Sequence, residues 1–152
     1  THADNILNLI DNPTDNEKKI LKNFKYKKNI TYLHTDDRLM PLRKNVWSSW
    51  NSILNKENLK ENCVTYWLNK LQNLNTDKNY FLTINPIIPV DESKILKKVE
   101  LTHPIYDIHT VNAQKHLSEL QGVNNTWFCG SYFGYGFHED GLKSAIVVSK
   151  KL

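Results

Sequence analysis

Cysteine, methionine, glycine, proline and arginine are all scarce in this chain of 152 residues, which has two Cys, one Met, five Gly, five Pro and two Arg. Two cysteines exclude a disulfide-rich scaffold. Cys63 and Cys129 lie far apart without metal-ligand spacing, so free, buried thiols in a reducing, cytoplasmic compartment are expected. No run approaches the roughly 18 apolar residues of a membrane-crossing helix, and no signal peptide is visible. No Gly-x-Gly-x-x-Gly turn is present, so nothing here cradles a dinucleotide pyrophosphate. Internal repeats and low-complexity tracts are absent as well.

What remains is the composition of a folded domain. With 39% hydrophobic and 11% aromatic residues, a chain of this length forms one core and buries roughly 68 to 70% of its unfolded surface. The net charge of +4 comes from 18 Lys against 2 Arg, with no block of like charge longer than a pair. Lysines spread in this way mark a solvated surface, and without a basic stripe they do not predict nucleic-acid binding. Frequent Asn with scarce Arg reflects an AT-rich genome.

The local patterns read as α+β. Ala3 to Asp11 and Thr14 to Phe24 predict two short helices broken at Asn12-Pro13, the second opened by a Thr14/Glu17 capping box. Asn29 to His34 alternates as a strand, with Ile30, Tyr32 and His34 on one face and Thr31, Leu33 and Thr35 on the other. Val46 to Ile53, Cys63 to Leu71 and Tyr80 to Ile84 are rich in β-branched and aromatic residues between polar Asn/Lys turns, which predicts an antiparallel meander. Ile108 to Leu120 predicts a helix with Val111, Leu117 and Leu120 inward and Gly122 as its C-terminal cap.

The most informative run closes the chain. Thr126 to Gly130 predicts a buried strand. It is followed by a glycine-rich loop and by Gly136-Phe137-His138-Glu139-Asp140-Gly141-Leu142, where Asp140 is expected to cap a helix starting near Gly141. Such a helix start presents backbone N–H groups and a positive dipole end. It suits an anion or the electron-rich pyrimidine edge of a flavin, and equally an ordinary strand-to-helix connection.

Other chemistry-bearing residues admit more than one role. His34, Asp36 and Arg43 cluster around Met40-Pro41 and either bind a carboxylate, form a buried salt-bridge network or orient neighbouring side chains. Trp47, Trp50, Tyr66 and Trp67 form either a core or an aromatic cage. Cys129-Gly130-Ser131 with His138 matches a thiol nucleophile and base in residue type alone. His103, His109, His116 and His138 show no His-x-x-x-His pair, so no metal site is expected.

Several stretches carry a resemblance. Thr1-His2-Ala3-Asp4, Leu33-His34-Thr35-Asp36 with Leu39-Met40-Pro41-x-Arg43, Trp47-Ser48-Ser49-Trp50-Asn51, Val64-Thr65-Tyr66-Trp67-Leu68-Asn69, Phe81-x-Thr83-x-Asn85-Pro86, His103-Pro104 and the closing His138-Glu139-Asp140-Gly141 occur in order along nearly the whole chain. They resemble the predicted NAD/FAD-binding, amine-oxidase-like branch of the flavin-containing amine oxidase superfamily. The resemblance implies the C-terminal portion of an FAD-dependent oxidoreductase that moves hydride from an unidentified, apolar substrate to flavin. Residues 1–125 would be a substrate-domain-like α+β region, and residues 126–152 a flavin-contacting strand-loop-helix. The N-terminal Rossmann half would be a partner outside this chain, FAD would belong to the full-length protein, and the chain would be neither loaded nor active alone. It also implies cofactor contacts at Gly130, Ser131, Gly136, Glu139, Asp140, Gly141 and Leu142. A substrate pocket would draw on His34, Arg43, Trp50, Asn51, Tyr66 and Asn69. The last helix would turn Leu142, Ala145, Ile146 and Ser149 toward the Rossmann half or, in its absence, toward a second copy. A non-catalytic interaction domain without cofactor is the alternative.

Overall fold

The computed structural model describes residues 1–55, 58 and 62–152. The fold is α+β, with a five-stranded antiparallel sheet in the order β2-β3-β4-β1-β5, formed by β1 (Lys25–His34), β2 (Trp50–Leu54), β3 (Asn62–Trp67), β4 (Phe81–Ile84) and β5 (Ile95–Ile105). The α-helices are α1 (Asp15–Leu21), α2 (Leu68–Leu71), α3 (Ile108–Gln114) and α4 (His138–Ser149). Among the described residues, no helix is long and apolar enough to cross a membrane. The chain divides into one unit of Thr1–Lys27 with His103–Leu152 and another of Lys28–Thr102. The boundary expected between residues 125 and 126 falls inside the first unit.

In that first unit, Thr14 caps α1 as the sequence predicts. Its hydroxyl accepts the Glu17 N–H at 3.2 Å, and the Glu17 carboxylate accepts the Thr14 N–H at 2.6 Å. Ile20, Leu21 and Phe24 then meet Ala113, Leu117, Leu120, Phe128 and Tyr132 in one apolar cluster, joined by Ala3 and Ile6. The Ala3 segment is a 3-10 helix over Ala3–Asn8, shorter than expected. The helix expected over 108–120 ends at Gln114 and resumes as a 3-10 turn over Leu117–Leu120. That break turns Thr110 and Ala113 inward with Leu117 and Leu120, and leaves Val111 exposed. Gly122 follows at φ +78°, where a side chain is disfavoured.

The second unit is built on the meander. Register pairs Trp50 with Tyr66, Asn51 with Thr65 and Ile53 with Cys63, and β3 pairs in turn with β4 at Thr65–Thr83 and Trp67–Phe81. β4 then pairs with β1, at Tyr32–Thr83 and His34–Phe81. Paired residues share a face. One face therefore buries Phe81, Cys63, Thr65, Thr83, His34 and Asn51, with Leu39, Met40, Trp47 and Val90 packed on it.

Three strand expectations need correction. The run expected over Val46 to Ile53 starts its ladder only at Trp50, because the Asn51 side chain occupies both the N–H and the C=O of Ser48 at 3.0 and 2.7 Å. The run from Cys63 to Leu71 leaves the sheet after Trp67 and closes a single helical turn, α2. β5 was not expected at all; its Lys-rich sequence is tolerated because it lies at a sheet edge, where Lys28 and Glu100 pair across the strands at 2.8 Å. The polar turn expected between Ile53 and Cys63 lies partly outside the described residues. Replacing Thr14 with Ala should remove about 1 kcal/mol of stability, read as a lower urea midpoint at unchanged slope; an unchanged midpoint would show the cap to be dispensable.

Candidate functional site

No strand forms over Thr126 to Gly130. Instead the Gln121 side chain brackets Phe128, donating to its C=O at 2.8 Å and accepting its N–H at 2.9 Å, which drives the Phe128 ring into the core. Cys129 consequently turns outward, and of the two cysteines only Cys63 is buried. Both are free thiols.

The glycine loop beyond is held at many points. Gly130 donates its N–H to Ser144 Oγ at 2.9 Å, and Gln114 Nε2 donates to the carbonyls of Tyr132 and Gly134 at 3.0 and 2.6 Å. Asp140 Oδ2 accepts the N–H groups of Tyr135 and Phe137, each at 3.0 Å. The helix α4 therefore begins at His138, three residues before the expected start, and Asp140 caps it from inside the first turn rather than from ahead of it.

The expected cofactor residues thus occupy defined places. Gly130 packs on the Tyr132 ring, Gly134 on the Asp140 carboxylate and Gly136, at φ +91°, 2.7 Å from Tyr106 Oη measured from an added Cβ. These close approaches are all to the chain's own side chains. Ser131 accepts the N–H groups of Gly134 and Gly136 through its carbonyl at 3.1 Å. Glu139 is exposed and lies 3.7 Å from Lys143 one turn on, and Leu142 projects outward. Gly141 has ordinary space above it, the nearest atom to an added Cβ being Ser131 N at 3.6 Å.

The expected pocket residues separate into two groups. His34 is fully buried: its Nδ1 accepts the Asp36 N–H at 3.1 Å, so its proton sits on Nε2 and is donated to Thr83 Oγ1 at 2.7 Å. Thr83 Oγ1 continues to Thr65 Oγ1 at 2.8 Å. Burial holds the His34 imidazole below its ordinary pKa, against the opposing charge of Asp36. Asn51 is committed to Ser48, and Asn69 clamps a loop by accepting the Tyr80 N–H and donating to Lys78 C=O, both at 2.8 Å. Arg43 is exposed, and it is Arg38 that pairs with Asp36, through Nε at 2.9 Å and Nη2 at 2.6 Å. Those Arg38 hydrogen bonds hold the Asp36 carboxyl far below the usual carboxylate range, although its burial opposes the shift.

Trp50 and Tyr66 lie on the opposite sheet face, edge to face at 6.4 Å. Register places Leu54, Val64, Leu82, Ile84 and Leu33 on that same face. Trp50 is 64% exposed and the inner members are half-buried. Across β1 to β4, the paired positions of this face carry no charged side chain. Trp47 and Trp67 belong to the buried face, where Trp47 meets Trp67 and Phe81 edge-on at 5.3 and 5.7 Å. The four aromatics are thus half core and half open surface. Among the described residues, no group of three or more His, Cys, Asp or Glu side chains is arranged to hold a metal ion.

Sequence reasoning did not single out Arg38, Thr65, Thr83, Gln114, Gln121 or Ser144. Polar residues of these types give no periodic signal. Comparison with protein-family models and with curated proteins gives no match for this chain.

Gly141→Ala should raise stability by about 0.5 to 1 kcal/mol, since the methyl group meets only ordinary contacts in a helix. Gly136→Ala should lower it by about 1 to 3 kcal/mol, through positive φ and the Tyr106 hydroxyl. Equal effects in urea unfolding would contradict this loop geometry. The titration of His34 and Asp36 sets a pH dependence. Both folded pKa values lie below the ordinary values of 6.5 and 3.8, so their stabilisation is complete above those values and is lost as pH falls. Stability should decline below about pH 6.5, with His34 contributing up to about 1.4 kcal/mol per unit, and more steeply below about pH 4. A urea midpoint that stays flat from about pH 8 to about pH 5 would rule out a neutral, buried His34.

Proposed function

We propose that this chain is the substrate-side and flavin-edge portion of an FAD-dependent oxidoreductase, with the dinucleotide-binding half supplied outside these residues. The observation that carries the reading is the C-terminal loop and helix. A glycine loop immobilised by Gln114, Asp140 and Ser144 leads into a helix whose Leu142, Ile146 and Val147 are 56%, 44% and 56% exposed. Leu142 and Ile146, one turn apart, are suited to cover by a neighbouring domain, while Val147 lies on the adjacent stripe with Lys143.

The residues present fit one end of the cofactor. The amides of His138 and Glu139 precede the first helical hydrogen bond and point along the positive end of the α4 dipole, which suits the pyrimidine edge of an isoalloxazine. No residue set among the described residues fits the pyrophosphate. FAD, when bound, supplies the hydride acceptor. In this chain the His138 and Glu139 amides orient the ring edge, while Trp50, Tyr66 and the aliphatic residues beside them offer an uncharged surface for an apolar substrate. With no carboxylate at its paired positions, that surface favours a neutral substrate over a protonated amine.

A second reading, a cofactor-free interaction domain, is favoured by one observation: the chain's own Tyr132, Asp140 and Tyr106 account for the close approaches at three loop glycines. Flavin content separates the two. Joined to a dinucleotide-binding half, the chain should purify yellow with flavin absorption bands; alone, it should bind FAD no tighter than about 1 μM. A colourless joined protein favours the interaction domain, and sub-micromolar affinity of the isolated chain contradicts the division of the cofactor between two halves.

A further inference from the structure

A second surface of the molecule, unrelated to the flavin reading, has the composition of a ligand site. Between α1 and the segment from α3 to His116 lies a cleft of about 350 Å³, a volume at the small end for small-molecule sites. Its floor is apolar and buried, made by Ile20 and Ala113, which also face the core of the first unit. Its rim carries Lys19, Lys22, His109 and His116.

Cationic groups outnumber carboxylates at this rim, although Asp107 stands close to His109 and Glu119 close to Lys19. Glu119 is the one carboxylate on the lining, and it is already bonded to His116 Nδ1 at 2.6 Å. Its carboxyl is held below its ordinary range chiefly by that bond, with further help from Asn16 and the Lys19 charge. Neither Lys19 nor Lys22 lies within ion-pair distance of a carboxylate among the described residues. Two lysines and a histidine that line one cleft with an apolar floor have the composition of an anion site with room for an organic body. Lysines act on phosphate as compact point charges and do not need the planar match that a carboxylate obtains from Arg.

We propose that this cleft binds a small phosphomonoester. Lys19, Lys22 and His109 engage the phosphate, and the organic group rests on Ile20 and Ala113. The same headgroup chemistry occurs on phosphatidic acid, so the source is decided by experiment. Phenyl phosphate titrated into the chain at low ionic strength should bind with a dissociation constant below about 1 mM, and phenol should not bind. Inorganic phosphate should bind more weakly than phenyl phosphate, because it leaves the floor uncovered. The double variant Lys19→Gln, Lys22→Gln should weaken binding by about tenfold or more without moving the unfolding midpoint, since both side chains are exposed. The imidazole resonances of His109 and His116 should shift on titration in the native chain and require correspondingly more ligand in the double variant. Absence of saturable binding, full affinity in the double variant, or inorganic phosphate binding as tightly as phenyl phosphate would each overturn the proposal. Vesicles containing phosphatidic acid form the second arm: their capture without any binding of phenyl phosphate overturns the free-ligand assignment.

Discussion

The second unit depends on one buried carboxylate. Asp36 is fully inaccessible, follows directly on β1 and is surrounded by donors: Arg38 through its side chain and N–H, the Asp91 N–H at 3.0 Å, and Lys94 at 3.8 Å. A buried charge without such partners would cost several kcal/mol, so the chain around it has little freedom to rearrange. Meeting that requirement brings the 36–40 turn onto the segment that starts β5 and places Leu39 and Met40 in the core. The same Asp36 contributes its N–H to His34, and this fixes the imidazole tautomer. His34 then links β1 to β4, and Thr83 links β4 to β3. Three strands are thereby joined through side chains as well as through the backbone ladder, and a slip of one residue would break the polar chain as well as the apolar packing.

Fixing the register in this way has a consequence for the opposite face. Because side chains alternate, every residue locked into the polar chain commits its neighbours to the other side: Tyr66 beside Thr65, Leu82 and Ile84 beside Thr83, Leu33 beside His34. The uncharged surface that bears Trp50 and Tyr66 is therefore a product of the same constraint that organises the core. Binding surfaces gain from this arrangement, since a platform on a paired sheet loses little conformational freedom when it is covered.

How much of this was legible in the sequence follows from the range of each signal. The Thr14/Glu17 cap and the antiparallel pairing of the three runs appear as expected, whereas Gly122, expected to close the 108–120 helix, opens the next 3-10 turn and Gln121 caps Leu117–Leu120. Asp140 resembles a cap residue, and read that way it places the start of α4 three residues late. In the folded chain its carboxylate reaches back to Tyr135 and Phe137, a choice set by the loop and not by local propensity. β5 gave no signal since an edge strand needs no apolar alternation. His34 and Asn51, both candidate pocket residues, are bonded to Thr83 and Ser48, and Thr83 lies 49 residues from His34. Polar pairings of that span leave no periodic trace.

The construction of the C-terminal loop limits what it can do. A loop pinned at Gly130, Gly134, Tyr135 and Phe137 presents its backbone in one arrangement. If it meets a flavin edge, it does so preorganised, and donors already in place do not have to be reoriented when charge develops on the ring. The cost of that order has been met within the chain, where Asp140 neutralises the very amides that a looser loop would have offered to a ligand. That leaves His138 and Glu139 at the open end of α4, and the carboxylate of Glu139 is drawn toward Lys143, away from the helix end. An electron-rich ring edge approaching this end therefore meets amide donors with less opposing charge than the acidic sequence suggests. The geometry of one turn thus decides whether two acidic residues repel a ligand or support its site.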